Sequence, residues 1–159
     1  MTSYYFNATS YLEKPVEEIF QFFSSAENLS IVTPPHLKFE ILTPLPFEMK
    51  KGTIIEYRLK IYHIPVYWKT EITVWEPPFR FIDVQLKGPY RKWVHEHRFE
   101  RLEAGTKMTD LVEYAVPGGP FASIINKVFV SKDVKKIFAF LLTNLKTCYN
   151  FDHLIKPFD

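Results

Sequence analysis

Apolar and polar residues alternate along most of the chain before Pro117, and this alternation predicts β-strands. The clearest case is a hairpin with a four-residue turn at positions 62–65. Its residues are predicted to face one another in four pairs: Ile61 with Val66, Leu59 with Trp68, Tyr57 with Thr70, and Ile55 with Ile72. One face of the hairpin is then apolar and the other charged, which is typical of an antiparallel sheet with one covered face.

The other segments before Pro117 predict further strands and a short helix. Pro15 is placed to open the helix, and a further helical turn is expected near residues 26–29. The apolar face of the helix contains Val16, Ile19, Phe20 and Phe23. Strands are expected at residues 4–12, 38–42, 80–86, 93–102 and 106–116.

After Val116-Pro117-Gly118-Gly119-Pro120 the pattern becomes that of one long amphipathic helix. Ser131 or Asp133 is expected to cap this helix, which runs to about His153, and residues 121–130 form either a separate helix or its first part. Its apolar stripe contains Val134, Ile137, Leu141, Leu145 and Cys148, with Phe138 and Tyr149 at the edge.

These elements predict a single α+β domain over residues 1–159. A curved antiparallel sheet of about six to seven strands is expected to wrap on the long C-terminal helix, with one or two short helices after the first strand. A sheet and a helix arranged in this way tend to enclose a cavity. Aromatic residues make up 17% of the chain, so the interior is either an ordinary aromatic core or a pocket for an apolar ligand.

Charge and targeting signals exclude several classes of partner. The net charge is +2 and basic residues alternate with acidic ones, so a nucleic-acid partner is not expected. An integral membrane association is also not expected, because no apolar stretch approaches the length of a membrane span. A single cysteine, Cys148, and an N-terminus without a signal-peptide pattern predict a cytoplasmic protein. Cys148 itself is interpreted as a small buried hydrophobe.

The densest group of chemically active side chains lies in the segment 93–99. His95 and His97 fall on one face of a strand together with Trp93 and Phe99, so both imidazoles are expected to point inward. They are interpreted as polar groups lining a cavity.

A metal site at the two histidines needs a third ligand. Glu113 supplies one only if Leu102 pairs with Thr106 in the last hairpin. We therefore expect no cofactor and no strong metal site.

Two acidic residues in strands, Asp83 and Asp110, are further candidates for chemistry. Asp83 shares a face with Phe81 and Gln85, and it meets the histidines if that face is inward. A carboxylate and an imidazole in contact form either a structural hydrogen-bonded pair or a general acid–base pair.

The chain resembles the helix-grip proteins of the SRPBCC superfamily over nearly its whole length. That superfamily includes START lipid-transfer domains, plant pollen-allergen-like proteins and aromatase/cyclases of polyketide synthesis. The closer resemblance is to bacterial single-domain members, some labelled "cell division inhibitor". The matching segments are Pro15-Val16-Glu17-Glu18-Ile19-Phe20, Glu27-Asn28-Leu29, Thr33-Pro34-Pro35, Trp75-Glu76-Pro77-Pro78, Gly88-Pro89-Tyr90, His95-Glu96-His97-Arg98-Phe99 and Asp110-Leu111-Val112-Glu113-Tyr114.

The resemblance implies the fold but leaves three functions open. The first is binding of a small hydrophobic molecule between the sheet and the C-terminal helix. The second is a cyclase or dehydratase reaction, with His95 or His97 as acid–base and Asp83 or Glu113 as its orienting partner. The third is an interaction module with a packed core. The predicted cavity walls are Tyr57, Leu59, Trp68, Ile72, Leu141 and Leu145, with polar contacts from His95 and His97. The oligomeric state stays open.

Overall fold

A computed structural model describes the backbone of residues 1–149 and the side chains of residues 1–140. Its centre is one curved antiparallel sheet of seven strands in the spatial order β1-β7-β6-β5-β4-β3-β2. Register shifts within the β4–β5 pair mark bulges, which bend a strand and increase its twist. The strands are β1 Tyr4–Leu12, β2 Glu40–Ile41, β3 Ile54–Ile61, β4 Ile64–Glu76, β5 Arg80–Lys87, β6 Lys92–Leu102 and β7 Gly105–Ala115.

Within residues 1–149, four α-helices lie over one face of this sheet. They are α1 Val16–Phe23, α2 Leu29–Val32, α3 Ala122–Ile125 and α4 Ser131–Tyr149. Short 3₁₀ turns lie at Ala26–Asn28, Pro35–Leu37 and Gly119–Phe121. The predicted α+β helix-grip fold, with short helices after the first strand and a long C-terminal helix, is therefore confirmed. None of the described helices is long and apolar enough to cross a membrane.

The C-terminal helix begins earlier than predicted. A π-helical turn, Asn126–Val130, joins α3 to α4, and Ser131 itself has helical backbone angles. The prediction that Ser131 or Asp133 caps the helix is therefore wrong, and residues 121–130 form its first part. The reason is that no proline or glycine lies between Pro120 and Ser131 to interrupt the helix.

On α1, the structure buries Phe22, whereas the predicted apolar face contained Phe23. Phe23 is half-buried and packs at the edge of the core.

The register of the β3–β4 hairpin differs from the prediction by two residues. Ile61 pairs with Ile64, Leu59 with Val66, Tyr57 with Trp68, and Ile55 with Thr70. The turn contains only Tyr62 and His63, which have φ angles of 50° and 65°, as the tight turns of two-residue hairpins require. Because side chains alternate with a period of two, the shift leaves the predicted inward face unchanged.

The register of the β6–β7 hairpin differs by one residue from the pairing of Leu102 with Thr106 that was considered above. This difference places the Glu113 side chain on the other face of the sheet. Leu102 pairs with Gly105, so His95 lies opposite Val112. Glu113 therefore points to the outer face, where its carboxylate lies 2.5 Å from Lys92 Nζ. The pairing of Leu102 with Thr106, which would have brought Glu113 to the histidines, does not form, because the turn is two residues long. Asp110 faces inward instead and is 3% exposed.

Two hydrophobic clusters hold the helices on the sheet. At one end, α1 inserts Val16, Ile19 and Phe20 against Phe81 and Phe99 of the sheet. At the other end, α4 packs against β1 and β7 through Val134 and Phe138, with Ala8, Val112 and Tyr114 as their partners. A helix at each end of a concave sheet leaves an interior space between them, and the candidate site lies there.

Candidate ligand cavity and histidine–aspartate cluster

A cavity of about 740 Å³ lies between the concave face of the sheet, the segment 22–39 and the C-terminal helix. Ligand pockets in proteins usually measure roughly 300–1,000 Å³, so the space is large enough for a small organic molecule. Its walls are predominantly aromatic and aliphatic. Several polar side chains also reach it, and three of them, Asp83, His95 and His97, lie together on β5 and β6.

Six of the eight residues predicted to bind a ligand line this cavity. They are Tyr57, Leu59, Trp68, Ile72, His95 and His97. The other two, Leu141 and Leu145, lie outside the residues whose side chains are described, as does Cys148. The placement follows from the alternation along β3, β4 and β6, and the role of these residues in binding stays a prediction.

Four aromatic rings form one wall of the cavity. The Trp68 ring lies 5.8 Å from Tyr57, 5.6 Å from Tyr90 and 5.5 Å from Trp93, measured between ring centroids. The Trp68 indole nitrogen Nε1 is buried and has no hydrogen-bond partner among the described residues. Burial raises the pKa of Tyr57 well above its ordinary value. Both groups are thus hydrogen-bond donors in largely apolar surroundings.

Two aspartates and two histidines meet on the three neighbouring strands β5, β6 and β7. Asp83 lies across from His95 in the β5–β6 pair, and His97 lies across from Asp110 in the β6–β7 pair. The hydrogen bonds run diagonally: His97 Nε2 lies 3.0 Å from Asp83 Oδ2, and His95 Nε2 lies 2.9 Å from Asp110 Oδ1. The two imidazoles lie side by side with centroids 3.7 Å apart. We call these four residues the histidine–aspartate cluster.

The second nitrogen of each imidazole also approaches a carboxylate. His95 Nδ1 lies 3.8 Å from Asp83 Oδ2, and His97 Nδ1 lies 3.1 Å from Asp110 Oδ1. The latter contact lies outside hydrogen-bond geometry, so it is an ion-pair contact only. Each histidine therefore contacts Asp83 through one nitrogen and Asp110 through the other.

The cluster shifts its own ionisation equilibria. Burial disfavours the charged form of His97, but contacts with Asp110 and Asp83 outweigh this and raise the pKa of His97 to about 9. Burial likewise disfavours ionised Asp110, yet hydrogen bonding to the histidines holds the pKa of its carboxyl well below the ordinary value. The pKa of Asp83 is lowered for the same reason. At neutral pH the protonated His97 is therefore paired with the ionised carboxylates of Asp83 and Asp110.

Neighbouring side chains fix the cluster in place. The Phe81 ring stacks on His97 with centroids 4.1 Å apart. Phe138 of α4 meets the His95 ring edge to face at 5.5 Å. Phe138 was placed only at the edge of the helical stripe by the sequence pattern, and the structure makes it a buried contact of the site.

Sequence reasoning did not include Tyr90 and Trp93 among the cavity walls. Tyr90 follows the Gly88-Pro89 turn, and its inward position depends on that turn. The Gln85 side chain holds the turn by donating from Nε2 to the Tyr90 carbonyl, at 2.7 Å. Trp93 shares a face with the two histidines, and that spacing was the available signal.

The cavity mouth lies where the β3–β4 turn meets the C-terminal helix. The Tyr62 hydroxyl donates to Asp133 Oδ2 at 2.7 Å, and the Tyr62 ring contacts the Phe129 ring edge to face at 6.2 Å. Lys60, Tyr62, Phe129 and Asp133 all line the cavity. The Tyr62–Asp133 hydrogen bond therefore joins the β3–β4 turn to the C-terminal helix across the opening.

Residues 12–142 match the family described as polyketide cyclase / dehydrase and lipid transport. The match spans more than half of the chain, and the chain belongs to this family. A comparison with curated proteins finds no match.

Solved structures of the same fold come from bacteria and plants. Protein Ms6760 from Mycobacterium smegmatis is 16% identical with a TM-score of 0.68, and the alignment covers 92% of this chain and 90% of that one. The Zhui aromatase/cyclase from Streptomyces sp. R1128 is 15% identical with a TM-score of 0.64, over 91% and 95%. Ginseng major latex-like protein 151 from Panax ginseng is 9% identical with a TM-score of 0.68, over 94% and 99%.

The TM-scores show a shared fold, and identities this low leave the ligand open. The predicted superfamily is confirmed. The label "cell division inhibitor" has no support in the family description or in these structures.

Proposed function

We propose that this member of the polyketide cyclase / dehydrase and lipid transport family binds a small, largely apolar molecule that carries at least one polar oxygen. The observation that supports this function is a cavity of about 740 Å³ with aromatic walls and a few convergent polar groups. Trp68 Nε1 and the Tyr57 hydroxyl are donors for an acceptor oxygen, and the histidine–aspartate cluster is a second polar contact.

The size of the cavity supports binding over a purely structural role. The volume corresponds to about 25 water molecules at their liquid density. Packed protein interiors contain few voids larger than a single water molecule, and an apolar cavity of this size favours apolar molecules over water. The hypothesis of an interaction module with a packed core is therefore the weaker one.

A cavity-filling variant tests this function. Ile137 is half-buried and lines the cavity from α4. Ile124 is 59% exposed on the same helical region and is the matched control. We expect the neutral apolar dye N-phenylnaphthylamine to bind the wild type and I124W with enhanced fluorescence and to bind I137W much more weakly. Equal dye binding by I137W, with its fold retained, would place the dye outside the cavity.

A second function is acid–base catalysis on the bound molecule. The observation that favours it is the position of His97 at the cavity wall between two carboxylates, because a histidine in such contact is a candidate proton donor or acceptor. The orienting partners are Asp83 and Asp110, and Glu113 is not one of them.

Catalysis is tested with an aryl diketone whose intramolecular aldol condensation releases water and forms a conjugated cyclic enone. The ultraviolet absorbance of the enone follows the reaction. We expect H97Q to lose the catalysed rate while it retains binding of the dye. A wild-type rate no higher than the buffer rate, at saturating diketone, would exclude this activity for that substrate.

A further inference from the structure

We propose that Asp83, His95 and His97 form a binding site for one divalent transition-metal ion on the wall of the cavity. One ligand atom from each of these three residues lies within 4.8 Å of the others. The inference depends on the geometry of the cluster and does not require that the cavity binds an apolar molecule.

The spacing of the three ligand atoms suits a small ion. Asp83 Oδ2 lies 3.0 Å from His97 Nε2 and 3.8 Å from His95 Nδ1. Ligands that hold a tetrahedral four-coordinate ion at roughly 2.0–2.2 Å lie about 3.3–3.6 Å from one another. The two distances bracket this range, so Asp83 Oδ2 needs to shift by only a few tenths of an ångström relative to each of these nitrogens.

Asp110 supports the site from behind. Its Oδ1 lies 2.9 Å from His95 Nε2 and 3.1 Å from His97 Nδ1, which are the nitrogens that point away from Asp83. Histidines that bind a metal usually donate the other ring N–H to a carboxylate, which fixes the tautomer and the ring orientation. Asp110 is 3% exposed and hydrogen-bonds His95 Nε2, so it is a positioning residue for the His95 ring, and its contact with His97 Nδ1 is an ion-pair contact only.

The donor set identifies the class of ion. Two imidazole nitrogens and one carboxylate oxygen are the protein ligands of many zinc and non-haem iron sites, whereas magnesium and calcium prefer oxygen ligands only. Asp83, His95 and His97 all line the cavity. The remaining coordination positions therefore face the cavity, where a water molecule or an oxygen of a bound compound can occupy one.

The sequence alone led us to expect that metal binding is absent or weak, and this proposal differs from that expectation. That expectation relied on Glu113 as the only candidate for a third ligand. The structure replaces Glu113 with Asp83, whose contacts to both histidines follow from the β5–β6 pairing.

Zinc binding to the whole chain tests the proposal. Protein without a histidine tag is stripped with a chelator and titrated with Zn²⁺ by calorimetry, and the zinc retained after desalting is measured by elemental analysis. We expect one Zn²⁺ per chain, and we expect Co²⁺ to bind with the visible absorption of a low-symmetry nitrogen and oxygen site. D83N and H97Q should lose binding. D110N should lower the affinity by about 10–100-fold, as for other residues that orient metal ligands.

Matched controls separate this site from adventitious binding. His36 and His63 also line the cavity but lie outside the cluster, so the H36Q and H63Q variants should retain the wild-type affinity. No zinc binding by the wild type would overturn the proposal, as would binding that survives in folded H97Q and is lost in H36Q or H63Q. Dye binding by the metal-free protein, measured in parallel, shows whether the proposed apolar function holds independently.

Discussion

Raising the pH should destabilise the metal-free protein, because His97 binds its proton more tightly in the folded state than in the unfolded state. The pKa of His97 is raised from 6.5 to about 9 by its contacts with Asp110 and Asp83, against the opposing effect of burial. The stabilisation is fully present below pH 6.5 and is lost as the pH rises through 9. The imidazole side chain is 13% exposed, so solvent screening is weak.

The size of this destabilisation follows from the raised pKa of His97. Each pKa unit corresponds to about 1.4 kcal/mol, so the free energy of unfolding should fall by roughly 3 kcal/mol between pH 6.5 and pH 9.5. The free energy of unfolding is measured at each pH by urea titration, with tryptophan fluorescence as the signal and a chelator present to remove metal ions.

Matched variants isolate the contribution of His97. H97Q removes the titrating group and should show a much flatter pH dependence, whereas H63Q at the cavity mouth should keep the wild-type slope. The wild type and H97Q losing stability equally between these pH values would refute the assignment of the proton to His97.

Three further changes have defined outcomes. W68A should lower the free energy of unfolding by about 3 kcal/mol, because Trp68 is buried but borders the cavity; a change below about 1 kcal/mol in urea unfolding would contradict its place in the core. Y62F removes the bond to Asp133 at the mouth and should speed dye dissociation in stopped-flow fluorescence with little effect on unfolding; an unchanged rate would exclude this gate. Bound dye should slow hydrogen exchange in segments 44–51 and 116–121, and protection confined to residues 56–60 would indicate surface binding.

The alternation of apolar and polar residues was sufficient to predict the strands and their inward faces. Tyr57, Leu59 and Trp68 line the cavity as expected, although their pairing partners differ. The error came from turn length, because the sequence does not show that Tyr62 and His63 alone complete the turn. A two-residue error preserves the face of every side chain, so the predicted cavity wall survived it.

Uncertainty about turn length had a larger effect in the β6–β7 hairpin, because a one-residue difference in register changes which side chains face inward. Both faces of β7 contain an acid, with Asp110 on one and Glu113 on the other, so alternation alone did not decide which acid meets the histidines. The two-residue turn before Gly105 decides it. A side chain on Gly105 would lie 2.1 Å from the Leu12 carbonyl oxygen, and its φ of 146° favours glycine. The close approach of β1 therefore requires glycine at the residue that ends this turn.

Mass spectrometry of small molecules extracted from the purified native protein tests the proposed binding function most directly. The comparison uses the wild type, the cavity-filling variant I137W and the control I124W, all prepared in the same way. We predict a recurrent apolar compound at about one per chain in the wild type and I124W, and a strongly reduced amount in I137W. The absence of any such compound from all three proteins, or equal amounts in all three, would contradict binding in the cavity.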